Sequence, residues 1–262
     1  MAVRNNKTDE ADTPPSGGVD AVDRALAILA SFRMGHERQT LAELAVGTGF
    51  YKSTILRLAR SLEVAGFLHR DEAGVFAIGP EPLRLAALFR NSLGLEARVR
   101  PVLRTLREEA GESASFFRCE GNLRQCLYRE EPRRAVRDHL MEGEILPLNV
   151  GAAGHVMSVF GNPVLTEGER ERRFAELPFI SSAEHDPETA ALAAPVFDTD
   201  GLAGALTISG PSFRLTPARA RELGSLLLAQ AETLSRLLGG GDWPADAGAG
   251  QEGRARLLQA GA

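Results

Sequence analysis

Apolar residues recur at helical spacing in the first third of the chain and fall into short strand-like runs later. Val22, Leu26 and Leu29, with Ala25 on the same face, predict an amphipathic helix from Val19 to about Phe32. Thr40-Leu41-Ala42-Glu43 fits a capping box, in which the threonine hydroxyl accepts from an early backbone N–H and the glutamate reaches back. A short second helix therefore begins at Leu41, carries Leu41, Leu44 and Ala45 inward, and ends at Gly47 and Gly49. Ile55, Leu58, Ala59 and Leu62 stand at i, i+3, i+4 and i+7 and predict a third helix from about Tyr51 to Ala65, stopped by Gly66. "FLHR" and "VFAI" flank turn chemistry at Asp71 to Gly74, which predicts a hairpin closed by Gly79-Pro80. A further helix, a linker, is expected from Glu81 to about Leu93.

From about Leu95 the pattern changes. A helix from Arg98 to Ala110 precedes "SASFFRC", "RQCLYRE", "LPLNV", "AALAAPVFD" and "GALTIS", with turns at "CEGNL" and "DTDG". Thr216-Pro217 signals a last helix, Arg219 to Leu238. The sum is an α+β chain: three helices and a hairpin, then an antiparallel sheet with flanking helices. The polar stretches 1–18 and 239–262 read as disordered tails.

Composition narrows the function. At 262 residues, 44% hydrophobic, the chain suits about two domains. Its net charge of −5 excludes a generally basic nucleic-acid coat but not a local basic face. Only Lys7 and Lys52 are lysines among the 30 basic residues, which a GC-rich coding bias explains. Neither a signal-peptide core nor an apolar run long enough for a membrane span is present, so a cytoplasmic location is expected. Cys119 and Cys126, on either side of a hairpin, are too few for a disulfide framework and read as free thiols.

Three helices and a hairpin within about 60 residues make the layout of a winged helix-turn-helix, whose last helix before the hairpin enters the major groove. Opposite the apolar face of that helix lie Ser53, Arg57 and Arg60, with Lys52 and Thr54 at its amino end. A helix amino terminus suits phosphate, arginine can bridge guanine or clamp phosphate, and hydroxyls can donate to phosphate. From Phe50 to Arg70 four basic residues face one acid, Glu63, so the charge is positive where a groove would lie. The expected DNA contacts are Thr40, Lys52, Ser53, Thr54, Arg57, Arg60 and Arg70.

With these pieces in place the chain resembles IclR-type bacterial transcription regulators from about Val19 to Leu238, through "VDAVDRALAILASF", "QTLAELAVGTGFYKSTILRLARSLEVAGFL", "ALAAPVFDTDG" and "ALTISGPSFRLT". The resemblance implies a winged helix domain at 19–80, a linker helix at 81–94 and a GAF-like effector-binding domain at 95–238. It also implies operator DNA and a small-molecule effector, an organic or aromatic acid, as partners, in a homodimer or dimer of dimers. Lys52, Ser53 and Thr54 match the family's "KST", whereas Tyr51 and Leu56 depart from its usual residues. In "NVGAAGHVM", Ala152 and Ala153 match positions whose backbone N–H groups hold an effector carboxylate. Ala191, Thr207 and Ser209 match pocket positions, the last two on one face of a strand, and Glu184 and Asp186 stand where the family supplies a polar loop group. The segment 160–190 is shorter than the family's, which carries an additional helix and strand there, so a cut-back pocket wall is expected.

Enzyme chemistry finds no constellation. There is no G-x-S-x-G elbow, no H-E-x-x-H pair and no P-loop lysine, and the lone His155 reads as structural. No cofactor or metal is expected. A regulator that has lost effector control, and an enzyme or sensor domain with a vestigial helix-turn-helix, remain the alternatives.

Overall fold

The computed structural model describes residues 18–33, 35–162, 164–184, 186–241, 243 and 247, with backbone alone at 90–93. The chain divides into two units between Phe89 and Arg90.

The first unit runs α1 (Asp20–Ala30), β1 (Arg38–Gln39), α2 (Leu41–Thr48), α3 (Lys52–Val64), β2 (Leu68–Arg70) and β3 (Phe76–Ile78) into the start of α4 (Glu81–Leu93). Its antiparallel sheet has the order β1-β3-β2. The capping box forms at Thr40 and Glu43, and Gly49 ends α2 in the left-handed region at φ 71°. Ile55, Leu58, Ala59 and Leu62 are buried against Ile28, Leu44, Leu68 and Phe76. One expectation is corrected. On α1, Val22 and Leu26 are exposed, and the inward face is Ala25, Ile28 and Leu29, continued by Phe32 just after the helix. Both sets satisfy helical spacing; packing onto α2 and α3 selects the second.

The second unit contains α5 (Glu96–Ala110), β4 (Ser113–Glu120), β5 (Leu123–Glu130), β6 (Ile145–Pro147), α6 (Gly151–Phe160), α7 (Glu167–Ala175), β7 (Phe179–Ser182), β8 (Thr189–Asp198), β9 (Gly201–Pro211) and α8 (Pro217–Leu237). Six antiparallel strands lie in the order β6-β5-β4-β9-β8-β7. Side chains alternate across them. Phe116, Leu192, Ala194, Leu206 and Ile208 join Leu103, Leu106, Leu223 and Leu227 in one core, on the α5 and α8 side. Phe117, Ala193 and Ala205 join Val156, Met157, Phe160 and Phe174 in the other, on the α6 and α7 side. A sheet covered on both faces needs apolar residues in both registers, which is why β8 and β9 read as continuous apolar runs.

Within 160–190 the chain folds as α7, with a capping box at Thr166 and Glu169, and as β7, paired along β8. One more expectation gives way: not all of 239–262 is an unstructured tail. Gly239 bridges Asp198, Gly240 N–H donates to Ser235 O at 2.9 Å, and the Trp243 ring meets Phe174 edge-on at 5.4 Å. Buried aromatic area holds that stretch down. Residues 1–17 and most of those after 241 lie outside the described set.

Candidate functional site

In the first unit, α3 presents an exposed face of Lys52, Ser53, Arg57 and Arg60, with Thr54 half-buried beside it. Its N-cap, Tyr51, makes no side-chain cap bond, which leaves early amides of α3 to an outside acceptor. Lys52 and Arg57 form no ion pair among the described residues, and Arg60 is only loosely paired, 3.9 Å from Glu63. Two expected contacts are otherwise engaged. The Thr40 hydroxyl donates to Glu43 Oε2 at 2.8 Å and accepts from Glu43 N–H at 3.3 Å. Arg70 folds back onto the wing, where its Nε donates to Gly74 O at 3.3 Å and its guanidinium lies 5.0 Å from the centre of the Phe76 ring.

In the second unit a cavity of about 150 Å³ opens on the α6 side of the sheet. All seven residues singled out for an effector, Ala152, Ala153, Glu184, Asp186, Ala191, Thr207 and Ser209, line it. The register explains the convergence: Ser209 lies between Ala191 and Ser113, and Thr207 between Ala193 and Ser115.

Several of the polar atoms around it are bonded within the chain. Ala152 N–H donates to Ser181 Oγ at 2.9 Å, and Gly151 N–H to Glu184 Oε2 at 2.8 Å. His155 Nε2 lies 2.7 Å from the same Glu184 oxygen, so His155 fixes a carboxylate. Thr207 Oγ1 donates to Ser115 O at 3.3 Å, and Ser209 Oγ to Asp138 Oδ2 at 2.7 Å. The other Asp138 oxygen accepts from Ser113 Oγ at 2.8 Å and from Arg129 Nη2 at 2.5 Å. Burial pushes the Asp138 carboxyl up, but the Arg129 guanidinium and the two serine hydroxyls outweigh burial and hold it below the usual carboxylate range.

Sequence reasoning missed Arg124, Asp138, Ser181 and Phe117, which line the same cavity. Arg124 had a signal. It stands two residues before the buried Cys126, hence on the same inward face of β5. Its Nη1 donates to the carbonyls of Pro147, at 2.6 Å, and Val150. A Cβ on Gly154 would lie 2.3 Å from Leu148 O and 2.7 Å from Arg124 Nη1, so the small residues of "GAAG" make room for a guanidinium as well as a helix start. Asp138 lies in an irregular stretch between β5 and β6, where no periodicity marks it. Among the described residues no group of three His, Cys, Asp or Glu is placed to hold a metal, and no helix is long and apolar enough to cross a membrane.

Comparison with known proteins agrees with this geometry. The IclR helix-turn-helix domain model matches residues 21–72, and the bacterial transcriptional regulator IclR C-terminal model matches 179–236. The glycerol operon regulatory protein of Streptomyces griseus is 30% identical over 256 residues, 85% of this chain and 98% of that protein. The HTH-type transcriptional regulator BhcR of Paracoccus denitrificans is 27% identical over 245 residues, 84% of this chain and 88% of that one. The crystal structure of an IclR-type regulator from Silicibacter sp. TM1040 superposes with a TM-score of 0.65 at 27% identity, covering 86% of this chain and 98% of that one. The chain belongs to the IclR family and is a DNA-binding transcriptional regulator, not an enzyme.

Proposed function

We propose that operator binding by this regulator is modulated by a small organic acid held in the α6-side cavity. The convergence of seven residues from α6, β8, β9 and the β7–β8 loop on one cavity carries this reading. Its size fits the class. About 150 Å³ is the volume of an engineered protein cavity that takes one benzene ring, so the ligand is a short-chain or single-ring compound. Ser181 on β7 lines the cavity, which supports a working pocket over a regulator that has lost its effector.

On the DNA side, Lys52, Ser53, Thr54, Arg57 and Arg60 are the contacts, Arg57 in the groove and the α3 amino end on phosphate. Arg70 serves through the wing, and Thr40 acts by holding α2. Exposed Val19 at the start of α1, Val22 and Leu26 on it, and Leu83 and Leu88 on α4 suit a homodimer or dimer of dimers. Residues 19–80 form the DNA-binding domain, 81–94 the linker and 95–238 the core of the effector domain. The cytoplasm, where the operator is, is the place of action.

The test begins with genomic fragments selected by the purified full-length protein. Fluorescence anisotropy then follows operator affinity while short-chain and aromatic acids are added. An acid that shifts the operator Kd several-fold, and binds reciprocally by calorimetry, supports modulation. Intact operator binding that no acid in such a panel alters would sink it.

A further inference from the structure

The amino end of α6 already holds a carboxylate from its own chain. Glu184 Oε2 accepts from Gly151 N–H at 2.8 Å and lies 2.7 Å from His155 Nε2. Arg124 lies against the same turn: Cβ atoms on Gly151 and Gly154 would meet its Nη2 at 3.1 Å and its Nη1 at 2.7 Å. Arg124 is 4% exposed, and its buried Nε has no hydrogen-bond partner. It forms no ion pair within 4 Å among the described residues. A guanidinium buried without a counter-ion is costly, because desolvation is not offset by a paired charge. Burial accordingly draws its pKa down, with Glu184 the first opposing influence. Glu184 sits differently: its side chain is 35% exposed, on the loop between β7 and β8, so it can turn out into solvent.

We propose that Glu184 is a resident ligand of the cavity. It occupies a carboxylate seat formed by the Gly151 amide beside Arg124, and a small monocarboxylate binds by taking its place. This rests on the reading of the cavity as an effector site. Two features set the chemistry. The seat demonstrably accommodates a carboxylate, and Arg124, held by the Pro147 and Val150 carbonyls and over the Phe117 ring but by no counter-ion, favours an anion that comes closer than Glu184 does. The lining also carries the carboxylates of Glu144 and Asp138, the latter already paired with Arg129, so a second carboxylate on the ligand adds like charge to that lining. Ser181 keeps the Ala152 amide in either state, since it is fixed on β7. Exchange therefore moves one side chain and releases His155 from its partner.

A resident competitor lowers apparent affinity by the fraction of time the seat is empty. If Glu184 holds it about nine-tenths of the time, its removal tightens binding about tenfold. The experiment uses full-length wild type, Glu184→Ala and Glu184→Gln, each shown to be folded by its thermal transition. Calorimetry measures benzoate and pyruvate against their uncharged amides. Glu184→Ala is expected to bind at least one of the two acids about tenfold more tightly than wild type, with the amides unchanged. Glu184→Gln, which keeps an acceptor for the Gly151 amide without the charge, is expected to fall between. Weaker acid binding by Glu184→Ala overturns the proposal, and so does equal tightening of acids and amides. Absence of binding of both acids to all three folded proteins overturns it too. Operator affinity is read in parallel: tighter acid binding with no change at the operator sinks the effector reading and leaves the resident-ligand assignment standing.

Discussion

Single residues in this chain carry unequal charge burdens. Asp138 and Arg129 are paired with side chains only 7% and 2% exposed, and both are tied to serines of β4. Removing one member of such a pair strands the other. Asp138→Asn is therefore expected to cost about 3–5 kcal/mol in urea unfolding near neutral pH. Because the folded Asp138 carboxyl is held below its ordinary value, its contribution is fully present above the unfolded pKa and is lost as pH falls through the folded one. The stability gap between wild type and Asp138→Asn should stay flat from about pH 8 to about pH 5 and close only below about pH 4. A gap already closing near neutrality would contradict this assignment. The two cysteines contrast in the same way. Cys119 is exposed, whereas Cys126 is buried and its thiol is pushed up to about 12 by desolvation. A thiol reagent at about pH 8 should modify one cysteine per native chain and both after denaturation, since the thiolate is the reactive form. Cys119→Ser should abolish the native reaction.

At the scale of elements, the helix-turn-helix was legible because each signal was local. Thr40 and Glu43 marked the start of α2, Ile55 to Leu62 marked the inward face of α3, and Asp71 to Gly74 marked the turn. What failed to show had physical reasons. β1 is two residues long, too short for any period. The inward face of α1 was ambiguous between two arcs of equal spacing, and only contact with α2 and α3 decides. α7 carries charges of both signs, and its one buried anchor, Phe174, gives no repeat. In the cavity, small residues and hydroxyls were reached through family resemblance, while Arg124 and Asp138 escaped because charged side chains are read outward by default. The two polar elements of the DNA-binding unit predict separable effects. Thr40→Ala removes a cap and should lower stability by about 1 kcal/mol while leaving the salt dependence of operator binding unchanged. Arg57→Ala should leave stability near wild type, weaken operator binding, and reduce the salt slope by about one if the arginine meets a phosphate. A slope change in Thr40→Ala would return Thr40 to the contact surface.

At the scale of the whole chain, two units with separate cores set what can be detached. The second unit buries both faces of its sheet, with α5 and α8 on one side and α6 and α7 on the other. Such a unit holds its own stability, so residues 95–247 are expected to unfold in one cooperative transition and to retain acid binding without operator binding. The end of that fragment matters. The pattern of polar residues places the boundary at 238, yet Trp243 lies beyond it and packs on Phe174, itself 5.8 Å from Phe197. A fragment ending at 238 exposes that aromatic cluster and should be less stable than 95–247 by roughly 1–3 kcal/mol. Denaturation curves of the two fragments decide it, with Trp243→Phe in the longer one as a control that keeps the ring. If the short and long fragments unfold at the same urea concentration, the contact made by Trp243 adds nothing to the fold. If the short one is weaker and the phenylalanine variant is not, an aromatic ring beyond the last helix closes the core on the α7 side.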